Sequence, residues 1–220
     1  MSRTVRLRTK APPQQRGNKT SISQMKPACD LDALLASIRA CRICAHALPH
    51  GARPVLRASQ TARIAICGQA PGTRVHATGI PFNDPSGDRL RAWLGIERET
   101  FYDAAKIAIV PMGFCFPGQD ESGGDLPPRK ECAATWHEKL FVALPRLELR
   151  LLVGTYAQAW HLRGRLMETM TATVRAWPAY LPTHIPLPHP SWRNNRWLKD
   201  NPWFGAELLP ELRAHVRALL

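Results

Sequence analysis

Apolar residues along the chain gather into four short runs, 62–67, 106–112, Leu149–Val153 and His184–Leu187, each bounded by turn-forming residues. Runs of this length with little polar alternation predict strands buried on both faces. Between them the apolar positions switch to a three-and-four spacing. Leu90, Trp93 and Leu94 mark a helix over 86–94, and Cys132, Trp136, Leu140 and Leu144 mark another over 129–144. A third crossover helix is expected over 156–167. Strands alternating with helices predict a parallel sheet covered on both faces, because each crossover must return over one face to begin the next strand. The expected fold class is therefore α/β: a single-domain three-layer αβα sandwich around a central four-stranded, mostly parallel sheet.

Outside this alternation, Asp30 is placed to cap a helix whose apolar stripe is Leu31, Leu34, Leu35 and Ile38, ending near Cys41-Arg42-Ile43-Cys44. Near the other end, Asn201-Pro202 predicts a helix start, and Pro210 either a kink or a second start. Residues 1–28 mix Arg, Lys, Pro, Gln, Ser and Gly with no apolar period, so they are expected to form a disordered basic arm, leaving 29–220 as the folded domain. No internal repeat is present.

Charge adds a partner class. Lysine and arginine outnumber aspartate and glutamate by 30 to 17, a net +13 that favours a polyanion such as nucleic acid. Seven of these cations, Arg3, Arg6, Arg8, Lys10, Arg16, Lys19 and Lys26, lie in the arm, and discounting them leaves the remainder at +6. No stretch approaches the ~20 apolar residues that cross a bilayer, and the N-terminus lacks a secretory apolar core. A cytoplasmic monomer, with no membrane partner, is the expectation. In that setting six cysteines read as metal ligands or buried small hydrophobes rather than disulfides. Cys67 falls inside an apolar run and is expected to be buried; Cys29 has no assigned role.

In open parallel sheets ligands bind beyond the carboxyl ends of the strands, which here singles out loops 68–87, 113–129, 154–156 and 188–197. The first reads GQAPGTRVHATGIPFNDPSG, directly after a strand and before a helix. Its glycines let backbone approach a flat ligand closely and its prolines fix its shape; a plain glycine-proline connector is the structural alternative. The segment resembles the first motif of the iron-sulfur, family-four enzymes of the uracil-DNA glycosylase superfamily, which begin Gly-Glu-Ala/Gly-Pro-Gly and carry Gly-x-Pro-Phe in the same register. The resemblance implies that Phe82 stacks on an extruded base, with Gln69 where those enzymes have a glutamate and His76 where they commonly have an aspartate.

The last loop contains His189-Pro190-Ser191, followed by Trp192-Arg193-Asn194-Asn195-Arg196. It resembles the superfamily's second motif, whose histidine bonds the uracil O2 while the following residues enter the minor groove. Trp192 would fill the hole left by a flipped base, Arg193 and Arg196 would neutralise phosphates, Asn194 or Asn195 would bond to backbone or base edge, and Ser191 would also lie against the DNA. An aromatic core loop with solvated arginines is the bland alternative. Cys41, Cys44, Cys115 and Cys132 have a spacing that resembles the four-iron four-sulfur ligand set of the family-four enzymes; structural zinc is the alternative, since tetrahedral sulfur coordination suits both.

These resemblances imply a base-excision enzyme acting on DNA that contains uracil or another deaminated base, with a uracil-DNA glycosylase-like fold. His189 and the backbone N–H groups near Gln69 and Ala70 would stabilise charge on the leaving base. The chain also departs from the pattern. Gln69 cannot act as a carboxylate base, and Pro111 stands in place of the asparagine that reads the uracil edge. Asp84 is the expected water-orienting or cation-stabilising group, and Asn83 the replacement for the missing amide. A non-catalytic binder of damaged or single-stranded DNA is the main alternative; a zinc-stabilised α/β enzyme acting on a small nucleotide is a more remote one.

Overall fold

Four strands form one parallel sheet in the order β2-β1-β3-β4, with β1 at Ile64–Cys67, β2 at Ile107–Ile109, β3 at Leu149–Val153 and β4 at His184–Leu187. The computed structural model describes residues 30–220; the expected arm at 1–28 and Cys29 lie outside them. Alternation along each strand divides the core into two. Ile64, Ile66, Leu151, Val153, Ile185 and Leu187 face one side, against α3 (Pro85–Leu94), α4 (Arg98–Tyr102) and α9 (Leu209–Leu219). Ala65, Cys67, Ala108 and Leu152 face the other, against α1 (Leu31–Arg39), α5 (Lys130–Val142) and α6 (Thr155–His161). The result is the expected three-layer sandwich, because a sheet apolar on both faces must be covered on both.

Local chemistry sets the element ends. Asp30 caps α1, its carboxylate accepting from the N–H groups of Asp32 and Ala33. Asp84 caps α3, and Pro85 follows at the first helical position. The 106–112 run forms a strand only over Ile107–Ile109, since Pro111 has no N–H to continue a ladder. Beyond that point the chain still tracks the first loop: Met112 and Gly113 donate to the carbonyls of Gly68 and Gln69 at 2.9 Å each. Arg57 exchanges backbone hydrogen bonds with Ile109, closing the outer edge of β2.

Other expectations shift. The helix expected over 156–167 stops at His161, a left-handed Gly164 follows, and a separate α7 spans Met170–Arg175. The 68–87 segment contains a short helix, α2 (Thr73–Thr78), and the last loop runs into α8 (Asn195–Asp200). Pro210 marks a second start: a wide turn at Phe204–Leu208 precedes α9, which carries Pro210 in its first turn.

From β1 the chain crosses to β2 on one side and later returns to β3 on the other. This reversal leaves a crevice beyond the carboxyl ends of β1 and β3, where the connecting loops converge.

Candidate active site

A cleft of about 450 Å³ occupies that crevice, within the size range of small-molecule sites. Three loops line it. The loop after β1 supplies Gly68, Gln69, Ala70, Phe82 and Asp84; the loop after β2 supplies Pro111, Gln119 and Asp125; the loop after β4 supplies His189, Ser191, Trp192, Arg193 and Asn194. Phe82 and His189, 107 positions apart in the chain, thus share one slot whose buried floor is Val55, Ile109 and Pro111.

Phe82 is held in an uncommon backbone state. Its φ is +53°, a left-handed value that a bulky side chain adopts only when its surroundings impose it. The Tyr102 hydroxyl donates to its carbonyl at 3.2 Å, and a Cβ at Gly87 would collide with the same carbonyl. Its ring lies over Gly68, where an added Cβ would stand 3.2 Å away, and meets Phe101 edge-on at 6.0 Å. Gly68 and Gly87 therefore clear the space that the ring and the carbonyl of Phe82 occupy beside the cleft.

His189 is half-buried. Burial holds its imidazole below the usual histidine range, opposed by the nearby carboxylates of Asp84 and Asp125, so the neutral ring is the form that faces the cleft at neutral pH. Its loop is braced from three sides. The Asn194 amide donates to the His189 carbonyl at 2.7 Å, Arg89 of α3 donates to the Ser191 carbonyl at 3.0 Å, and Arg193 reaches across to the Gly123 carbonyl at 3.3 Å. Trp192 stands at the rim, 72% exposed, with the Arg193 guanidinium over its ring.

One expected base-binding residue is turned away from the cleft. Asn83 does not line the cleft; its carboxamide oxygen accepts from Arg98 at 3.2 Å, because the left-handed turn at Phe82 swings the next side chain away. Arg196 lies outside the cleft, exposed on α8 and paired loosely with Asp200 at 3.6 Å. His76 sits on α2 among the rings of His50 and Phe116. Asp84 lines the cleft, but one of its oxygens is committed to the Gly87 N–H at 2.9 Å. The Gln69 amide is likewise occupied, donating to the Leu126 carbonyl at 3.3 Å.

Asp125 and Gln119 are the lining residues that sequence reasoning missed. They pair across a tight turn in which the Asp120 carboxylate accepts from the N–H groups of Ser122 and Gly124 and from the Ser122 hydroxyl. The Gly-Gly-Asp-Leu-Pro-Pro stretch reads as turn chemistry alone; only its position after β2 pointed to the cleft.

On another part of the molecule Cys41, Cys44, Cys115 and Cys132 line one cavity with Ile43, Ala52, Pro54, Phe114 and Trp136. Burial pushes the thiol of Cys115 up to about 11 and that of Cys132 up to about 12, so positive charge from a metal centre would be needed to hold them as thiolates. The Phe114 N–H points at the Cys132 sulfur at 3.3 Å, as hydrogen bonds to cluster thiolates do. Among the described residues no group of three or more His, Cys, Asp or Glu side chains is arranged to hold a metal ion. Cys67 is fully buried in β1, as expected.

Fold and cleft together define an α/β protein whose sheet carries, at its carboxyl edge, a cleft lined by an aromatic ring and a histidine. Residues 57–213 match the family model described as the uracil DNA glycosylase superfamily, and the chain belongs to that superfamily. Membership points to glycosylase-type chemistry on DNA. No helix among the described residues is long and apolar enough to cross a membrane.

Proposed function

We propose that the protein is a base-excision glycosylase that hydrolyses the N-glycosidic bond of uracil, or of a related deaminated base, in DNA. The observation that carries the reading is the shared slot of Phe82 and His189, walled by backbone at Gln69 and Ala70 and rimmed by Trp192 and Arg193. Neither water nor protein donors reach C1′ of a stacked, paired nucleotide, so the base must leave the helix. Phe82 would hold the extruded ring flat, and Trp192, exposed at the rim, would occupy the vacated stack. As the bond stretches, negative charge grows on the base and positive charge on the sugar. The neutral His189 imidazole and the backbone N–H groups of Gln69 and Ala70 would donate to the base oxygens, acting most strongly where the charge is greatest. Ser191, Arg193 and Arg196 would contact the strand, while Asn194 sets the loop through the His189 carbonyl.

Excision is tested with strands carrying uracil, hypoxanthine or no modified base, scored for alkali-sensitive abasic sites. Breaks confined to a deaminated base support the reading. A protein that shifts the same strands and leaves none of them breakable is a binder. That second reading is favoured by the cleft floor: Pro111 offers no amide, Asn83 faces away and the Gln69 amide is occupied.

The reading extends to subtype. Cys41, Cys44, Cys115 and Cys132 would hold a four-iron four-sulfur cluster of the family-four kind, tying the end of α1 to α5 and to the loop after β2. The cluster would supply cross-linking and no step of the hydrolysis. Anaerobically purified protein is expected to carry about four irons per chain with the visible absorbance of such a cluster. One zinc per chain with no visible chromophore would instead assign a structural zinc.

A further inference from the structure

Hydrolysis of a nucleoside bond leaves a cationic sugar and needs an oriented water, so a carboxylate near C1′ lowers the barrier. Gln69 cannot be that group. Two acids line the cleft, Asp84 and Asp125. Asp84 is the helix cap of α3, with an oxygen given to the Gly87 N–H. Asp125 also has one oxygen engaged, but it is different in two respects. It follows a turn braced by Asp120, and its own backbone pairs with Gln119, so the carboxylate projects from a fixed support. It stands against bare backbone, since a Cβ at Gly72 would lie 3.2 Å from its Oδ2. The Gln119 amide donates to its Oδ1 at 3.2 Å, orienting the group without neutralising it.

Its depth in the cleft decides which part of a nucleotide it meets. Val55, Ile109 and Pro111 are buried at the floor, whereas Asp125 and Gln119 are exposed at the mouth. A base inserted with its ring on Phe82 reaches the floor, and its sugar remains at the mouth. Asp125 and His189 line the same cleft.

We infer that Asp125 is a catalytic carboxylate of this cleft, holding the cationic sugar and taking the proton of the attacking water; the inference rests on the excision reading. The C1′–N bond breaks with its electron pair passing to the base. The water oxygen bonds to C1′ as its proton passes to the Asp125 carboxylate, and the base anion takes a proton from solvent.

The test pairs a rate with a binding measurement on wild type, D125N and D84N. D125N is expected to lower single-turnover excision by about 10²–10³-fold. Exogenous formate should restore part of the rate to D125A, which a merely structural role would not allow. For binding, strands carry either a protonated pyrrolidine in place of the sugar or its neutral tetrahydrofuran analogue. Wild type should prefer the cationic strand by about tenfold and D125N should lose that preference while binding the neutral strand as before. The assignment is overturned if D125N excises at the wild-type rate, or if the preference survives in D125N and disappears in D84N. Should wild type release no base at all, the excision reading fails, and an Asp125-dependent preference for the cation still stands as its own result. Wild type without any such preference removes the assignment.

Discussion

His189→Ala is expected to lower single-turnover excision by about 10²–10³-fold, the loss typical of removing one preorganised donor to a developing oxyanion. DNA affinity should hardly change, because the side chain faces the cleft while the strand-gripping groups are at the rim. The size of the effect follows from preorganisation. The loop carrying His189 is fixed by Asn194, Arg89 and Arg193, and Gly154, with a φ of +84°, lies beside the imidazole, where an added Cβ would stand 3.6 Å from the ring. A donor held this way loses nothing to reorientation as charge builds on the base. The ring is also kept neutral by burial, so it donates one N–H without placing a full cation beside the cationic sugar. His189→Asn is expected to recover only part of the loss, since a shorter amide donor sits farther from the base. If His189→Ala excised uracil or hypoxanthine at the wild-type rate, the base would have to be polarised by backbone alone.

Periodicity carried the sheet and its two helical layers because both are statements about which residues leave water. Ile64 and Ile66 could only face one buried layer and Ala65 and Cys67 the other. Both motif loops were legible for the same topological reason: a loop following a strand in a parallel sheet ends up at the carboxyl edge. Side-chain direction within those loops was not. A left-handed residue at Phe82 reverses the expected side of Asn83, and nothing in the local composition announces a positive φ at a phenylalanine. Asp125 was hidden in the opposite way. Its neighbours Gly123, Gly124, Pro127 and Pro128 are turn formers, and its role depends on a third loop whose path is set by backbone bonds from Met112 and Gly113 to the first. The helix expected over 156–167 ends at His161, and the left-handed Gly164 that follows keeps the apolar spacing beyond it from continuing the helix.

Acid is expected to unfold this domain well above the range in which carboxylates titrate. His137, His161 and His184 form a chain of rings between α5, α6 and β4, with centroids 6.1 and 6.3 Å apart. Burial pushes His137 down to about 4, His161 to about 3 and His184 to about 4. Among the described residues the charged groups acting on His161 and His184 are arginines rather than acids. Arg150 and Arg163 face His161, Arg150 and Arg165 face His184, and the Nδ1 of His137 and Nε2 of His161 have no hydrogen-bond partner among the described residues. In the unfolded chain each ring titrates near 6.5. Above that pH both states are neutral and nothing is lost. As pH falls from 6.5 toward 4 the unfolded chain takes up protons that the folded core refuses, so stability falls throughout this window. At pH 5 the loss is on the order of 2 kcal/mol per ring, and for three rings it approaches the whole stability of an ordinary domain. The chain also reaches the cleft, because the Nε2 of His137 bonds the Pro111 carbonyl at 3.0 Å in the cleft floor. Circular dichroism across pH 7 to 4 should therefore show a cooperative transition. His161→Phe, which keeps a ring of similar size and removes the most strongly shifted titration, should move its midpoint to lower pH by several tenths of a unit. A midpoint shared by wild type and His161→Phe would show that these rings do not set the acid limit.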